Sequence, residues 1–302
     1  MSCVRFWPRD NGTFHILTGD EDGLVHIWDA KSRRKVFSCS RPEGSAKSGV
    51  VALHALKNRW VVQRQFGRIE VASEEGTESE LLTSCAGFAK CSILDDTLSS
   101  GGDCVEVWDL RTRNKVCSLK REGGGMALDT RLLRDSAGRL HLVSAYEDGC
   151  IRIFDVSAQA DVGISLSAID GVCLSIDMIA ANKKQTKWKG IAAGASPCIA
   201  AFAVDLSTHK AAVVREFSVE GAKGVSEVRW CGKGSVVAGC WDSRAYVFDG
   251  NTFTKKGVLC GHSSSVRSVD YARLPYPCIA TASDDGNVAL HTLPIVGSIA
   301  NK

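Results

Sequence analysis

One short pattern recurs along the chain and limits its possible folds more than any other feature. Each copy has an aspartate in a tight turn, then an alternating apolar strand, and then an aromatic residue or a histidine six positions after the aspartate. Copies with this spacing cover residues 22–29, 148–155, 242–249 and 285–292. A shorter copy covers 103–109, and degenerate copies end at Ala72 and Val204. The pattern predicts a chain of short strands with alternating sides, joined by tight turns.

The positions at which the seven copies end show how the strands are grouped. These marker residues are Trp28, Ala72, Trp108, Phe154, Val204, Phe248 and His291. They lie 36 to 50 residues apart, close to the period of about 40–45 residues that a four-stranded propeller blade requires. One blade cannot bury both of its faces, whereas blades stacked around an axis cover each other. We therefore predict an all-β, seven-bladed β-propeller that occupies residues 1–302 as one domain, with divergent second and fifth blades.

The start of the chain raises a question about how the ring closes. Cys3-Val4-Arg5-Phe6 reads as the innermost strand of the first blade, so we expect the last blade to lack a closing strand from the N-terminal side. Three possibilities remain open: the segment Ile295–Ile299 supplies that strand, the given sequence begins inside a longer one, or the last blade has three strands. An uncovered strand edge would be an aggregation liability.

Composition and charge exclude several classes of protein. The chain has 37 lysine and arginine residues against 34 aspartate and glutamate residues, a net charge of +3, which is too small for a dedicated nucleic-acid or anionic-membrane binder. No run approaches the roughly 20 apolar residues of a membrane span, and no signal peptide is recognisable. We expect a soluble, intracellular protein without direct nucleic-acid or membrane partners.

The 13 cysteines never occur as Cys-x-x-Cys, so zinc ligation at the usual spacings is not supported. Most lie in apolar runs, as Cys117 and Cys260 do, where a free thiol behaves as a small hydrophobe. We predict core thiols in a reducing compartment.

The chain carries none of the usual catalytic motifs. It contains no Walker-type phosphate loop, no His-Glu-x-x-His and no Gly-x-Ser-x-Gly, and its seven histidines do not stand at metal-ligand spacing. We predict no enzymatic activity and no metal or other cofactor. One basic run, Lys183–Lys189, encloses Trp188 and could contact phosphates or act as an import signal, although a solvated loop is the usual outcome.

Four turn aspartates are expected to be structural. They are Asp22, Asp148, Asp242 and Asp285. A carboxylate in a turn accepts hydrogen bonds from nearby turn amides, and buried polar groups need such partners.

Aromatic and charged side chains near the same turns are candidates for binding a partner. They are Tyr146, Glu147, Trp241 and Arg244. Such residues on the upper rim of a propeller would be typical interface anchors. The alternative is that Tyr146 and Trp241 pack inside their own blades.

Several motifs resemble those of WD-repeat proteins. The residues that carry the resemblance are Trp28-Asp29, Trp108-Asp109 and Gly261-His262, together with the turn aspartates. In that family a histidine, a serine or threonine, the turn aspartate and the tryptophan form a hydrogen-bonded set inside a blade. The resemblance implies such a set only in the last blade, from His262, Ser283 and Asp285, with His291 at the tryptophan position.

The amino-acid sequences of individual blades are similar to those of one family, the guanine-nucleotide-binding-protein β-subunit-like proteins and the related ASTRA-associated WD-repeat subunits. The matching segments are 23–28, 145–149, 225–228, 238–242 and 262–266. The resemblance implies a monomeric propeller inside a complex, acting as an adaptor in the maturation of phosphatidylinositol-3-kinase-related kinases with the triple-T co-chaperone complex. It also implies a location in cytoplasm and nucleus.

A second motif leaves a rival function open. Trp108-Asp109-Leu110-Arg111 resembles the Trp-Asp-x-Arg pattern by which some propellers dock on a cullin-ligase adaptor as substrate receptors. That resemblance would make Arg111 the leading site residue. The same pattern also occurs as plain blade structure, in which the arginine caps the turn.

Overall fold

The strands of this protein are arranged in seven antiparallel sheets that follow one another in chain order. The computed structural model describes residues 1–9, 13–39, 48–84, 87–121, 123, 125–232, 234–273 and 277–292. Within these residues the only helical element is a single 3-10 turn, Gln65–Gly67. The predicted all-β, seven-bladed propeller is confirmed.

Each sheet is a meander in which neighbouring strands along the chain pair with each other. The strands of blades one to three are β1 (Cys3–Pro8), β2 (Phe14–Gly19), β3 (Val25–Asp29), β4 (Lys35–Cys39); β5 (Val50–Ala55), β6 (Trp60–Arg64), β7 (Arg68–Ser73), β8 (Gly76–Leu82); β9 (Ser92–Leu94), β10 (Thr97–Ser100), β11 (Val105–Asp109), β12 (Asn114–Leu119). Those of blades four to seven are β13 (Ala127–Arg134), β14 (Leu140–Tyr146), β15 (Cys150–Asp155), β16 (Ala160–Ser167); β17 (Cys173–Ala180), β18 (Lys187–Gly194), β19 (Ser196–Asp205), β20 (Lys210–Ser218); β21 (Val225–Cys231), β22 (Ser235–Cys240), β23 (Ala245–Asp249), β24 (Lys255–Leu259); β25 (Val266–Ala272), β26 (Cys278–Ser283), β27 (Val288–Thr292).

Every marker residue of the repeat lies on the third strand of its blade. This includes the divergent blades, where Ala72 lies on β7 and Val204 lies on β19. Both side chains are buried, at 1% and 2% exposure. In these two blades the third strand is held by strand pairing on both sides and by burial, so a blade forms without the aromatic residue.

The core of the molecule lies between the blades. Seven apolar clusters are found among the described residues, and each joins two neighbouring blades. Between blades one and two, for example, the rings of Trp7 and Trp60 meet edge to face with centroids 5.1 Å apart. Burying one large apolar side chain contributes about 1.5–3 kcal/mol, so these clusters are the main force that holds blade to blade.

The ring is completed by contacts between the first and last blades. Strand β1 pairs only with β2 in the sheet and packs against β25, so Cys3-Val4-Arg5-Phe6 is the innermost strand of blade one, as predicted. In the described part of the chain, blade seven has three strands. The segment Ile295–Ile299 lies outside the described residues, and the three possibilities for closure remain open.

The cysteines in the described part of the chain are all free thiols. Cys117 lies on β12 and is buried, as predicted, but Cys260 is exposed. The core prediction for Cys260 is wrong because the apolar strand β24 ends at Leu259, which leaves Cys260 in the loop that follows. In the part of the chain that the structure describes, no helix is long and apolar enough to cross a membrane.

Candidate protein-interaction face

The meander of each blade sorts its loops onto two faces of the ring. Loops between the second and third strands, and loops between successive blades, lie on one face, which we call the upper face. Loops between the first and second strands, and between the third and fourth, lie on the other, the lower face. This follows from the antiparallel order of the strands in each sheet.

A cavity of about 410 Å³ opens on the upper face at the axis of the ring. Residues from all seven blades line it. Because only the axis of the ring is adjacent to every blade, this cavity is the mouth of the axial channel. Five innermost strands carry a β-bulge at their second residue, and the bulged residues line the cavity: Val51, Leu128, Leu174, Ser226 and Arg267. A bulge redirects a side chain out of the sheet alternation, so the repeated bulge builds the mouth of the channel.

Below the mouth, charged side chains from the innermost strands meet at Glu227 on β21. Its Oε1 accepts a hydrogen bond from Nη2 of Arg5 at 2.8 Å and from Nη2 of Arg229 at 2.7 Å. Lys90 reaches across from blade three, with its Nζ 4.0 Å from the same oxygen and 3.2 Å from the carbonyl oxygen of Ser226.

Burial and charge act against each other on these groups. Burial raises the pKa of Glu227, but the positive charges of Arg5 and Arg229 outweigh it and hold the pKa well below its usual range. Burial lowers the pKa of the Lys90 ammonium. The carboxylate is therefore ionised and fully engaged, which suits it to holding strands together and not to exchanging protons with a substrate.

Glu227 and three further carboxylates link blades four to seven, and blade seven to blade one, through backbone amides. Side-chain oxygens accept the amide of the neighbouring innermost strand at Asp129–Ile176 (2.9 Å), Asp177–Trp230 (2.8 Å), Glu227–Val269 (2.9 Å) and Asp270–Phe6 (2.7 Å). Arg131 is held between Asp129 and Asp177, at 2.7 and 3.3 Å. We call these groups, with Arg5, Lys90 and Arg229, the channel network; it forms the floor of the upper cavity.

Of the predicted partner-binding residues, Tyr146 is packed inside its blade. It is 2% exposed, and the Arg121 guanidinium lies 4.9 Å from its ring centroid. Burial raises the pKa of the Tyr146 hydroxyl to about 12. Glu147 is exposed on the adjoining loop, where its Oε2 accepts a hydrogen bond from the Met126 amide at 3.0 Å.

Trp241 and Arg244 lie on the upper-face loop of blade six. Trp241 is half-buried, lines the axial cavity and would collide with any Cβ placed on Gly224. Arg244 is exposed. The structure therefore brings Trp241 to the mouth of the channel and leaves Arg244 at its outer edge, while Tyr146 has little surface to offer a partner.

Arg111 lies on the lower face, far from these residues. It follows β11 in the turn toward β12, and its side chain is 70% exposed. Its guanidinium stands 3.6 Å from an Asp96 oxygen and 3.5 Å from an Asp109 oxygen. These exposed pairs constrain the side chain weakly, so Arg111 is accessible.

The turn aspartates accept hydrogen bonds from amides two positions ahead. The pairs are Asp148–Cys150 (3.1 Å), Asp242–Arg244 (3.3 Å) and Asp285–Asn287 (2.8 Å). In blade one the corresponding acceptor is Asp20, which takes the Leu24 amide at 2.8 Å. Asp22, the residue singled out from the sequence, is exposed in the same turn.

The hydrogen-bonded set of blade seven differs from the one that the resemblance implied. His262 contacts Asp285 at 3.0 Å and Thr281 at 2.7 Å, and Thr281 contacts His291 at 3.3 Å. Ser283 does not belong to this chain, because it donates to the Ser264 carbonyl. Thr281 and Ser283 both place a hydroxyl on the same side of β26, and the ring of His262 contacts that of Thr281.

Blade one repeats part of this arrangement. Trp28 Nε1 donates to Thr18 Oγ1 at 2.9 Å, and Thr18 precedes Trp28 by ten positions, as Thr281 precedes His291. That spacing was the signal for Thr281 in the sequence. Trp108 instead donates to Glu106 in its own strand, at 3.2 Å.

The basic run begins in the lower-face turn that precedes β18. Its aromatic residue, Trp188, is 8% exposed and donates to the Gln185 carbonyl at 2.8 Å, so its ring is not available for stacking on a base. Among the described residues, no group of three or more histidines, cysteines and carboxylates is arranged to hold a metal ion.

Comparison with known proteins agrees with this geometry. The family model described as WD domain, G-beta repeat, matches residues 1–29 and 253–291. These segments are the first three strands of blade one and the region that leads into and through blade seven, on either side of the ring closure. The fold is a seven-bladed β-propeller, and these two segments are similar to WD repeats.

A mouse relative of this chain is similar to it along almost its whole length. The mouse protein "Guanine nucleotide-binding protein subunit beta-like protein 1" is 25% identical over 314 aligned residues, which cover 97% of this chain and 92% of the mouse protein. The aligned region therefore spans all seven blades. Together with the fold, it supports a protein-interaction scaffold.

Proposed function

We propose that this propeller is an adaptor that helps phosphatidylinositol-3-kinase-related kinases to assemble and stay stable, together with the triple-T co-chaperone complex, in cytoplasm and nucleus. The observation that carries the proposal is the similarity to a Gβ-like protein across 97% of the chain.

The geometry of the upper face supports a binding role. A half-buried tryptophan, Trp241, stands beside an apolar cavity, and the exposed Arg244 follows it on the same loop. Tryptophan and arginine are the residue types that most often dominate binding energy at protein interfaces. The channel network below them, in which Glu227 is ion-paired to Arg5 and Arg229, offers a rigid floor to a partner.

The test is a pull-down of the tagged protein at native levels from its own cells, followed by mass spectrometry. We expect triple-T subunits and kinases of this class among the strongest partners. Trp241→Ala combined with Arg244→Ala should reduce their recovery at least fivefold, on the basis that each anchor contributes about 1–2 kcal/mol. Circular dichroism and thermal unfolding of the double variant must match the unmutated protein.

The accessibility of Arg111 favours a second candidate, a substrate receptor of a cullin ligase. Its side chain is 70% exposed on the lower face, at the position where the Trp-Asp-x-Arg resemblance puts the docking residue. The same pull-down separates the two proposals. Recovery of a cullin-ligase adaptor that Arg111→Ala abolishes, without triple-T subunits, would replace the first proposal by the second.

A further inference from the structure

Three large apolar side chains are exposed on one part of the upper face. Among the described residues, the other exposed large apolar side chains are valines on fourth strands: Val36, Val116, Val214 and Val258. The three exceptional ones are Phe66, Leu82 and Phe88, at 73%, 71% and 78% exposure. We infer that these three residues, the apolar patch, form a docking surface for a peptide segment of another protein that carries apolar residues flanked by lysine or arginine.

Hydrogen bonds bring the patch residues together on blades two and three. Leu82 ends β8, and the next residue, Thr83, donates from both its amide and its hydroxyl to the Gly67 carbonyl, at 2.9 and 3.0 Å. Gly67 follows Phe66 directly. Phe88 lines the axial cavity together with Gln65, the residue before Phe66, so the patch runs continuously into the mouth of the channel.

The turn that carries Phe66 is held in an unusual conformation. Phe66 has φ of 65°, a region that bulky residues rarely occupy. Arg64 fixes the turn, because it pairs with Glu70 at 2.8 Å and donates to the Gly23 carbonyl of blade one. The Gln65 amide donates to the Gly49 carbonyl at 3.0 Å. A rigid turn thus presents a phenylalanine to solvent, where its ring gains nothing from packing within the chain.

The charges around the patch decide the chemistry of its partner. Exposed carboxylates flank it on neighbouring upper-face loops, Glu21 and Asp22 on blade one and Asp103 on blade three. In the described upper-face loops between residues 20 and 104, no lysine or arginine is exposed. An acidic border around an apolar centre complements a segment with apolar anchors and basic flanks.

Random 12-residue peptides displayed on phage provide a direct probe. They would be selected on the purified protein and counter-selected on the variant Phe66→Gly/Leu82→Thr/Phe88→Ser. We expect selected peptides to carry at least two large apolar residues beside lysine or arginine. Synthetic copies should bind the triple variant at least tenfold more weakly than the unmutated protein.

Matched variants control for general loss of apolar or acidic surface. Val36→Thr/Val116→Thr/Val214→Thr removes exposed apolar groups from fourth strands and should change peptide affinity less than twofold. Glu21→Lys with Asp103→Lys should weaken binding at least threefold, whereas Asp95→Lys on the lower face should not. The single variant Phe66→Gly provides a second, milder test if the triple variant unfolds.

Three results would overturn the inference. They are selected peptides that are acidic, peptides that bind the triple variant as well as the unmutated protein, and a concentration-dependent dimer in sedimentation that the triple variant abolishes, since a second copy would then be the occupant. The inference rests on the interaction role proposed above. Because the selection contains no kinase or co-chaperone, failure of the patch and failure of the proposed adaptor role are observed separately.

Discussion

The junction between blades four and five and the junction between blades seven and one solve the same packing problem with different chemistry. The first encloses seventeen buried residues, among them Ile153, Ile176 and Phe202. The second encloses six, of which three are alanines. At this poorer junction Ser268 and Asp270 accept the amides of Val4 and Phe6, at 3.3 and 2.7 Å.

Buried charge reinforces the apolar-poor junction from the side. Arg5 of blade one donates to Ser268 of blade seven at 3.0 Å and to Glu227 of blade six at 2.8 Å, so blades six, seven and one are joined at one point. The junction between blades four and five also has polar contacts, from the Ile176 amide to Asp129 and from Arg131 to Asp177, but it adds a large apolar area. The junction between blades seven and one has little apolar area and therefore depends more on its directional polar contacts. Polar contacts specify how strands align, whereas apolar area specifies only that they meet.

Removal of the Glu227 carboxylate should have the largest effect. In Glu227→Ala, Arg5 and Arg229 lose their common partner while they remain in the channel, which should lower the free energy of unfolding by about 3–5 kcal/mol. Urea denaturation measures this. Glu80→Ala, which removes an exposed pair with Arg68, should cost less than about 1 kcal/mol, and equal losses in the two variants would mean that the channel network does not hold the ring.

Truncation of an apolar side chain tests the other junction. Ile153→Ala should lower the free energy of unfolding by about 2–5 kcal/mol, because Ile153 is fully buried between blades four and five. Ile16→Ala, at the junction of blades seven and one, should fall at the lower end of that range, since half-buried neighbours such as Trp28 can move into the space. The reverse order in urea denaturation would contradict the comparison.

The junction between blades two and three should make the free energy of unfolding depend on pH, because it contains a buried histidine. His54 contacts the Cys91 carbonyl of blade three at 2.9 Å, and burial, with the charge of Arg5, lowers its pKa to about 3. In the unfolded chain His54 becomes protonated below about pH 6.5, whereas in the folded chain it stays neutral until the pH is near 3. The free energy of unfolding is therefore highest above about pH 6.5 and decreases as the pH falls toward 3.

Between pH 6.5 and 4.5 the unmutated protein should therefore lose about 1–2 kcal/mol more than His54→Gln, whose amide can still donate to the Cys91 carbonyl. Urea unfolding at each pH gives the difference. Parallel curves for the two proteins would show that His54 takes up a proton in the folded state.

The smallest expected effect concerns the turn at the junction of blades one and two. Phe66→Gly should leave the free energy of unfolding unchanged or raise it by up to about 1 kcal/mol, because glycine removes the cost of φ 65° while it adds chain entropy to the unfolded state. Phe66→Ala keeps the unfavourable backbone and should be less stable than Phe66→Gly. A loss above about 1 kcal/mol in Phe66→Gly would mean that the ring packs within the fold.

The repeat predicted the blades because strand periodicity and turn chemistry are local. Even Ala72 and Val204, which end the degenerate copies, lie on third strands. The seventh blade shows where this stops. Ser283 and Thr281 are two positions apart on one strand, so both side chains lie on the same side of it and strand alternation does not distinguish them. The spacing of Thr18 from Trp28 would have resolved the choice.

The channel network and the apolar patch were out of reach of sequence patterns for a different reason. Arg5 and Glu227 are 222 positions apart, and no local signal links them. Leu82 has the appearance of an ordinary strand residue, and Phe66 that of a core residue. Their exposure depends on where the strand ends and on the conformation of one turn, which composition and alternation do not determine.

The way the ring closes also determines how long the first blade is exposed during synthesis. β1 leaves the ribosome before the other strands described here, and the acceptors for the Val4 and Phe6 amides are made 264 residues later. At a translation rate of about 5–20 residues per second, β1 is exposed for roughly 15–50 seconds before the strand that covers it, β25, has been synthesised. Every nascent chain thus presents an uncovered face of its first blade to cellular chaperones long before its last blade exists.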